Sequence, residues 1–422
     1  MTDLPYKNTL TDEDIAALSE RILSARSGPG LNAETVIAAC DKLSREMNAP
    51  EYLELLIGLG LPSDKAKEEL RTAMEMMSAA YLRSRVRREL GGLDPEVFTP
   101  EYKRFSVRQE RRPLGVLLHI SAGNVDALPA FSVIEGLLTG NINLLKLPRG
   151  DNGLSAAILE RLIDIEPRLE PFIEVFDVPS DDVASLQKLS SLADAAVVWG
   201  GDEAVMAVRS LARPDMRVIE WGHRLSFAYA EPLADDEALY GIAYNMLSTD
   251  QLYCSSCQGI YVDTDDFDEA AAFADRFSKI LNETAKRFPE PDDRISAQKT
   301  IEAHTERLES IDGSKRVFKS GRCCAIAYRD RELTRAYGFG SCWVKPLPRE
   351  MLLRALLPYK GRLQTAALAC NEEERAHLTE LLIRAGAVRV TDGRRMSEEY
   401  CGLPHDGELP LQRYTKVVSI EV

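Results

Sequence analysis

The sequence predicts an α/β protein built on a doubly wound parallel sheet, with a second α/β domain after it and a helical segment before it. Three observations predict it. Between residues 114 and 220, short apolar runs alternate with helix-length stretches, the pattern of consecutive strand–helix units. Beyond about residue 227 the rhythm changes, yet strand- and helix-length stretches continue to about residue 395. Residues 1–100 read as helical and polar-faced. A chain of 422 residues is too long for one ordinary core. The expected division is therefore 1–100, 101–227, 228–395 and a C-terminal arm, 396–422.

Taken in order, Thr11-Asp12-Glu13-Asp14 opens a helix with a capping pattern, and Asn32-Ala33-Glu34 opens another. A long amphipathic helix is expected from Ser63 to Leu90, with Leu70, Met74, Met77, Ala80 and Leu82 at helical spacing. This segment reads as a packing or oligomerisation appendage, with the lining of a substrate tunnel as the alternative. Strands follow at Leu114–Ile120, Ile142–Lys146, Phe172–Val178, Ala195–Trp199 and Arg217–Glu220. Helices at Ala127–Leu138, Leu154–Ile163, Asp181–Leu192 and Glu203–Leu211 separate them. Such sheets bind nucleotides at the carboxyl ends of their strands. The Gly-x-Gly-x-x-Gly fingerprint is missing; Gly200-Gly201 follows the fourth strand, where a tight turn explains it as well as phosphate approach does.

In the second domain a helix over Asp235–Leu247 leads to a polar turn and a strand, Gly259–Val262. Helices at Asp265–Arg287 and Arg294–Ile311 follow, then strands at Cys323–Tyr328 and Ser341–Lys345. A helix at Arg349–Leu357, an apolar run at Leu363–Ala369, a helix at Glu372–Ala385 and a strand at Val388–Thr391 complete it. The last residues, Arg413–Val422, alternate like a strand that either lies on its own sheet or adds to a neighbour's edge.

Composition excludes several classes. A formal net charge of −15 argues against a general nucleic-acid binder. No apolar stretch approaches the length of a membrane span, and Met1–Thr11 lacks the basic and apolar regions of a secretory signal, so the cytoplasm is expected. Eight cysteines in so long a chain are no dense disulfide framework and fit a reducing compartment.

The stretch with chemistry in it is Asp250-Gln251-Leu252-Tyr253-Cys254-Ser255-Ser256-Cys257-Gln258. Thiols are usually buried as small hydrophobes, so a cysteine among Gln, Ser and Asp marks Cys254 as a candidate nucleophile, with a structural thiol as the bland alternative. The Cys-x-x-Cys spacing invites zinc and dithiol readings. Zinc needs two more ligands at matched spacing, and Cys323-Cys324 is adjacent; a redox dithiol usually opens a helix early in a strand–helix–strand unit. His119, His304, His377 and His405 show no metal spacing, and no metal is expected.

These residues resemble the aldehyde dehydrogenase superfamily and, within it, the LuxC-type long-chain acyl-CoA reductases. Gly115–Val125 is similar to that family's first strand and asparagine turn, and Gly136–Asn143 to its Leu-Leu-x-Gly-Asn-x-Asn signature. Gly222-His223-Arg224-Leu225-Ser226-Phe227 and the Asp-Gln-x-x-Cys-Ser-Ser turn match as well. Leu363-Gln364-Thr365 and Ala385-Gly386-Ala387-Val388-Arg389 resemble its C-terminal landmarks. The likeness runs from about Pro113 to the end and is looser before it. One departure is Cys257, where family members commonly have proline, which raises modulation of Cys254 by a second thiol.

The resemblance implies an aldehyde dehydrogenase-like fold, with a nucleotide cofactor in residues 101–227 and catalysis in 228–395. It makes Cys254 the nucleophile toward an acyl-CoA or other acyl thioester, and places Asn124 with the Cys254 backbone N–H as oxyanion donors. On residue type alone Asn124 is equally a turn residue. Lys146 is implied at the cofactor's ribose or 2′-phosphate. Arg149 stands where many relatives carry a ribose-binding glutamate, which favours NADPH, with NADH the alternative. Trp199, Gly200 and Gly201 fall at the pyrophosphate loop, though Trp199 is equally a core residue. Glu220 resembles the carboxylate that activates water in hydrolytic relatives. His223 is open between placing CoA, tuning Cys254 and a structural role. The resulting expectation is reduction of a fatty acyl thioester to the aldehyde by a homo-oligomer, with an acyl-transferring enzyme as a conceivable partner. The competing readings are oxidation of an aldehyde to the free acid through Glu220, and a scaffold subunit without activity.

Overall fold

The computed structural model describes residues 9–61, 63–91, 96–121, 127–149 and 152–421. Two compact units result: residues 1–222 with 400–422, and residues 223–399. The first unit takes in the N-terminal helices, the first sheet and most of the C-terminal arm.

In the first unit the N-terminal helices are core elements. Thr11 caps the helix Asp12–Ser27 through a reciprocal capping box with Asp14, and Asn32 caps Ala33–Glu46. Val36, Ile37, Leu43, Met77, Leu82 and Val86 bury in the same cluster as Val116 and Leu144 of the sheet. The single helix expected over 63–90 is two, Ser63–Met77 and Ala79–Leu90. Ser78 has extended backbone angles, and its hydroxyl accepts from the Tyr81 N–H, so it ends one helix and caps the next.

The first strands are β1 (Glu96–Phe98), β2 (Val107–Pro113), β3 (Val116–Ile120), β4 (Ile142–Lys146), β5 (Ile173–Phe176), β6 (Ala195–Trp199) and β7 (Arg217–Trp221). Strands β3 to β7 form a parallel sheet in the order β5-β4-β3-β6-β7, so the strand order reverses between β3 and β6. Helices cover both faces. His119 bonds Ser132 of the helix Leu128–Leu138, while Glu220, on the opposite face, bonds Arg209 of the helix Asp202–Leu211. Gly136 is required where the first of these helices meets the sheet, because a Cβ there would lie 1.8 Å from Asn143 Oδ1.

The second unit holds β8 (Leu225–Ala230), β9 (Cys257–Val262), β10 (Lys315–Ser320), β11 (Cys323–Tyr328), β12 (Ser341–Pro346), β13 (Leu363–Ala369) and β14 (Arg389–Thr391). They form one sheet in the order β10-β11-β12-β9-β8-β13-β14, parallel except for the β10–β11 hairpin. Along β8 the side chains sort by face. Ala228 and Ala230 meet the helices Asp236–Ser248 and Phe267–Ala285, while Phe227 and Tyr229 meet Arg349–Leu356 and Glu372–Ala385. A boundary drawn at residue 227 would cut β8 in two, whereas the contacts divide the chain after Gly222.

The C-terminal strand β15 (Thr415–Glu421) pairs antiparallel with β2 of its own chain, and β1 completes a three-stranded sheet. Its approach is fixed by buried polar groups: the Leu411 N–H donates to Glu89 at 2.9 Å and Asn141 Nδ2 to the Tyr414 carbonyl at 3.0 Å. No described helix is long and apolar enough to cross a membrane.

Candidate active site

The cysteine turn lies at the amino ends of three adjacent parallel strands of the second unit, β13, β8 and β9. The helix Asp236–Ser248 ends at Thr249, whose hydroxyl donates to the Asn245 carbonyl at 2.7 Å. Asp250 and Gln251 then both take left-handed backbone angles, φ +50° and +60°. Each such residue costs on the order of 1–3 kcal/mol and persists only where the surroundings hold it. Here they do. The buried Gln251 amide donates to the Cys257 carbonyl at 3.1 Å and accepts from the Gly340 N–H at 3.0 Å. Gln258 Nε2 donates to the Gln251 carbonyl at 3.2 Å, and the Phe339 N–H to the Asp250 carbonyl at 3.2 Å.

The turn closes around Ser256, whose hydroxyl accepts from the Tyr253 N–H at 3.1 Å and whose N–H donates to the Tyr253 carbonyl at 3.0 Å. Ser255 bonds Ser397 at 2.9 Å. Ser226 of β8 donates to the Cys254 carbonyl at 2.6 Å. Cys254 itself is half-buried, and its sulphur accepts from Gln364 Nε2 at 3.1 Å.

Most of the other thiols have a different environment. Burial pushes Cys40 up to about 12 and Cys324 to about 11, and raises Cys257, Cys323, Cys342 and Cys370 as well. Cys257 is the first residue of β9, fully buried, with its Sγ donating to the Gly259 carbonyl at 3.3 Å. It is a core thiol that burial pushes toward the protonated form. No described cysteine is in a disulfide, and no described group of three or more His, Cys, Asp and Glu could hold a metal ion.

In the first unit the residues expected at a cofactor lie along the carboxyl edge of the β3–β7 sheet. Lys146, the last residue of β4, is buried and donates to Ser180 Oγ at 2.8 Å. Burial lowers its ammonium pKa, opposed by Asp177 and reinforced by Arg149. Arg149 is exposed and pairs loosely with Asp181, at 3.9 Å. A buried ammonium beside an exposed guanidinium fits a phosphate-bearing cofactor.

Gly200 and Gly201 follow β6 at the point where strand order reverses, but the helix they lead into begins with Asp202 and Glu203. Two carboxylates in a first turn oppose a phosphate at that helix end. Steric need is clear only for Gly200, where a Cβ would lie 3.0 Å from the Ala204 Cβ. Trp199 is a packing residue: its indole N–H bonds Ser132 at 3.0 Å, and its ring lies against Trp221 and His405. Asn124 falls in 122–126, outside the described residues.

Glu220 is half-buried on edge strand β7 and receives two N–H bonds from Arg209, the second of them, from Nη2, at 2.9 Å. His223 is exposed at the first residue of the second unit. His119 is a satisfied core histidine: its ring nitrogens meet Ser132 at 2.7 Å and Asn143 at 3.0 Å, and burial lowers its pKa to about 4. Sequence reasoning assigned no role to Gln364, Ser226, Gln251 or Ser180. The available signal was a glutamine inside the apolar run 363–369, since a buried amide in a core strand needs a partner.

Comparison with known proteins places the fold and the family. Solved structures of lactaldehyde dehydrogenase from Escherichia coli and of glyceraldehyde-3-phosphate dehydrogenase from Methanocaldococcus jannaschii share the fold. The TM-scores are 0.69 and 0.71 at 15% and 13% identity, with 97% and 98% of this chain covered and 90% and 95% of theirs. The latter was solved with NADP. The long-chain acyl-protein thioester reductase of Aliivibrio fischeri is 26% identical over 425 residues, 95% of this chain and 85% of the relative. Long-chain acyl-protein thioester reductase 2 of Photobacterium leiognathi is 26% identical over 325 residues, 73% of this chain and 64% of the relative. The acyl-CoA reductase (LuxC) family matches residues 32–417, and the chain therefore belongs to that family of aldehyde dehydrogenase-like oxidoreductases.

Proposed function

We propose that the protein reduces a fatty acyl thioester, acyl-CoA in the first instance, to the aldehyde through an acyl-enzyme on Cys254. The observation that carries this is the contrast among thiols. Cys40, Cys257, Cys323, Cys324 and Cys342 are buried, whereas Cys254 is half-buried in a polar turn with an amide N–H on its sulphur.

The Cys254 thiolate attacks the thioester carbonyl, and the bond to the leaving sulphur breaks, so the acyl group passes to the enzyme and the departing thiolate takes a proton. Negative charge on the carbonyl oxygen in this step calls for preorganised donors; the Cys254 backbone N–H and the Asn124 side chain serve by family likeness. A bound nicotinamide cofactor supplies the hydride that reduces the acyl-enzyme carbonyl. The resulting thiohemiacetal collapses, its oxygen re-forming a carbonyl as the Cys254 sulphur leaves with the electron pair, and the aldehyde departs.

Lys146 and Arg149 hold the cofactor's ribose phosphate, which favours NADPH. Glu220 takes no part as a water-activating base in this scheme. Its carboxylate is engaged by Arg209, and a reductase has no use for hydrolysis of its own thioester.

The test is NADPH consumption at 340 nm across a panel of acyl-CoAs, with aldehyde as product, run beside Cys254→Ala. That variant should lose acyl labelling and drop below roughly 10⁻⁴ of the parent rate. Turnover surviving in Cys254→Ala would sink the acyl-enzyme; oxidation of aldehydes to free acid without CoA would move the function to hydrolysis. The two relatives are named for acyl-protein thioesters, so an acyl-carrier protein belongs in the same panel as an alternative leaving thiol.

A further inference from the structure

We propose that Gln364 is a catalytic hydrogen-bond donor to the Cys254 sulphur, aimed there by irregularities in two neighbouring strand pairings. The inference rests on Cys254 being the nucleophile.

Gln364 is the second residue of β13, in a run where every residue is buried. A primary amide in such a place costs on the order of 1–3 kcal/mol unless it is hydrogen-bonded. Its Nε2 is directed at a sulphur 110 residues earlier in the chain.

The backbone explains how it gets there. Leu363 pairs with Leu225, yet Ala366 pairs with Phe227, so Gln364 and Thr365 together oppose the single residue Ser226. On the other side of β8, Ser226 pairs with Cys257 and Ala228 with Ile260, so Gln258 and Gly259 oppose Phe227. Bulges of this kind re-aim a side chain that regular pleating would fix, and they recur beside active sites.

Ser226 sits where both irregularities begin. The Thr365 N–H donates to its hydroxyl at 3.0 Å, and that hydroxyl donates to the Cys254 carbonyl at 2.6 Å. Cys254 is thus registered to β13 at two points: its carbonyl to Thr365 through Ser226, and its sulphur to Gln364 directly.

A donor on sulphur favours the thiolate over the thiol, because the charged form is the stronger acceptor. It acts at both ends of the reaction, when the thiolate attacks and when it leaves the thiohemiacetal. No bond to Gln364 forms or breaks, and the amide keeps its protons throughout. The neighbouring Gln258 and Gln251 cannot substitute, since their side-chain amides are spent on backbone groups of residues 251, 256, 257, 336 and 340.

Gln364→Met keeps the length and removes the donor; Gln364→Glu keeps the shape and sets a carboxylate beside the sulphur. The first readout is the pH dependence of Cys254 alkylation by iodoacetamide, followed on the Cys254 peptide by mass spectrometry. The second is the split between kcat and KM. In Gln364→Met the thiol's apparent pKa should rise by about one unit and kcat fall about tenfold or more, with KM for acyl-CoA within about twofold. In Gln364→Glu the apparent pKa should rise further. Wild-type alkylation profiles and wild-type kcat in either folded variant overturn the proposal. A Cys254→Ala protein that still turns over overturns the nucleophile reading, whatever Gln364 does, so the two failures are told apart.

Discussion

The two candidate regions sit at opposite ends of their strands. In the first unit Lys146, Trp199 and Glu220 end or nearly end parallel strands, at the carboxyl edge where doubly wound sheets take nucleotides. In the second unit Ser226 and Gln364 are the second residues of β8 and β13, and Cys254 precedes β9, so the proposed nucleophile belongs to an amino edge. Their construction differs as much as their position. The cysteine turn carries two consecutive strained residues and is held by bonds from residues 226, 258, 339–340, 364 and 397. At the carboxyl edge, Lys146 donates to the neutral hydroxyl of Ser180, and Arg149 has a loose, exposed pair with Asp181. A nucleophile must be fixed to a fraction of an ångström before substrate arrives, whereas a phosphate is bound by charges that can close on it.

That contrast predicts where substitutions act. The largest effect after loss of Cys254 belongs to Gln251→Leu, which strands the buried Cys257 carbonyl and Gly340 N–H at about 1–3 kcal/mol each and releases the strained turn. Its kcat should fall roughly a hundredfold while KM for the cofactor holds, together with a lower melting temperature. Steady-state kinetics beside thermal unfolding decide it; a normal kcat would mean the turn does not need its strain.

Lys146→Met is the mirror case, expected to raise KM for NADPH about 10- to 100-fold with kcat nearly intact. Arg149→Glu should act more mildly and through charge. Preference for NADPH over NADH should fall about tenfold, and because Arg149 is exposed the change should shrink as salt rises toward 0.5 M. Titrating both cofactors at two ionic strengths separates the two cations. An effect of Lys146→Met on kcat alone would put that ammonium in the chemistry rather than in binding.

How much of this was readable from sequence follows the same divide. Strands Ile142–Lys146, Ala195–Trp199 and Cys323–Tyr328 have the bounds their apolar runs predict, because both faces of a parallel sheet are buried and the run is continuous. Val107–Pro113 was not legible as a strand: four of its seven residues are charged, and its stability comes from pairing with residues 415–421 far along the chain. The break at Ser78 was hidden too, since a serine among charged residues reads the same on an exposed helix face as at a cap. Cys254 could be found from its polar company. Gln364 could not be given a role, because its contact depends on a bulge, and register is a property of strand pairing that local pattern does not carry.

The smallest effect is expected at Glu220, and it separates reduction from acid release. The carboxylate stands on β7 with two N–H bonds from Arg209, in a pair that is partly exposed and so contributes no more than about 1 kcal/mol to stability. To act as a base it would have to leave that pair and collect a water. Glu220→Gln keeps the shape and one acceptor, so reduction of acyl-CoA should change by less than about threefold and the melting temperature by a degree or two. If Glu220 were the base of a hydrolytic cycle, the same change would cut acid formation by roughly 10²-fold or more. Measuring aldehyde and acid from one acyl-CoA incubation, by chromatography of both products, reads the two branches at once. A large loss of aldehyde formation in Glu220→Gln would return this carboxylate to the reductive chemistry, as a proton carrier or as an anchor for the cofactor.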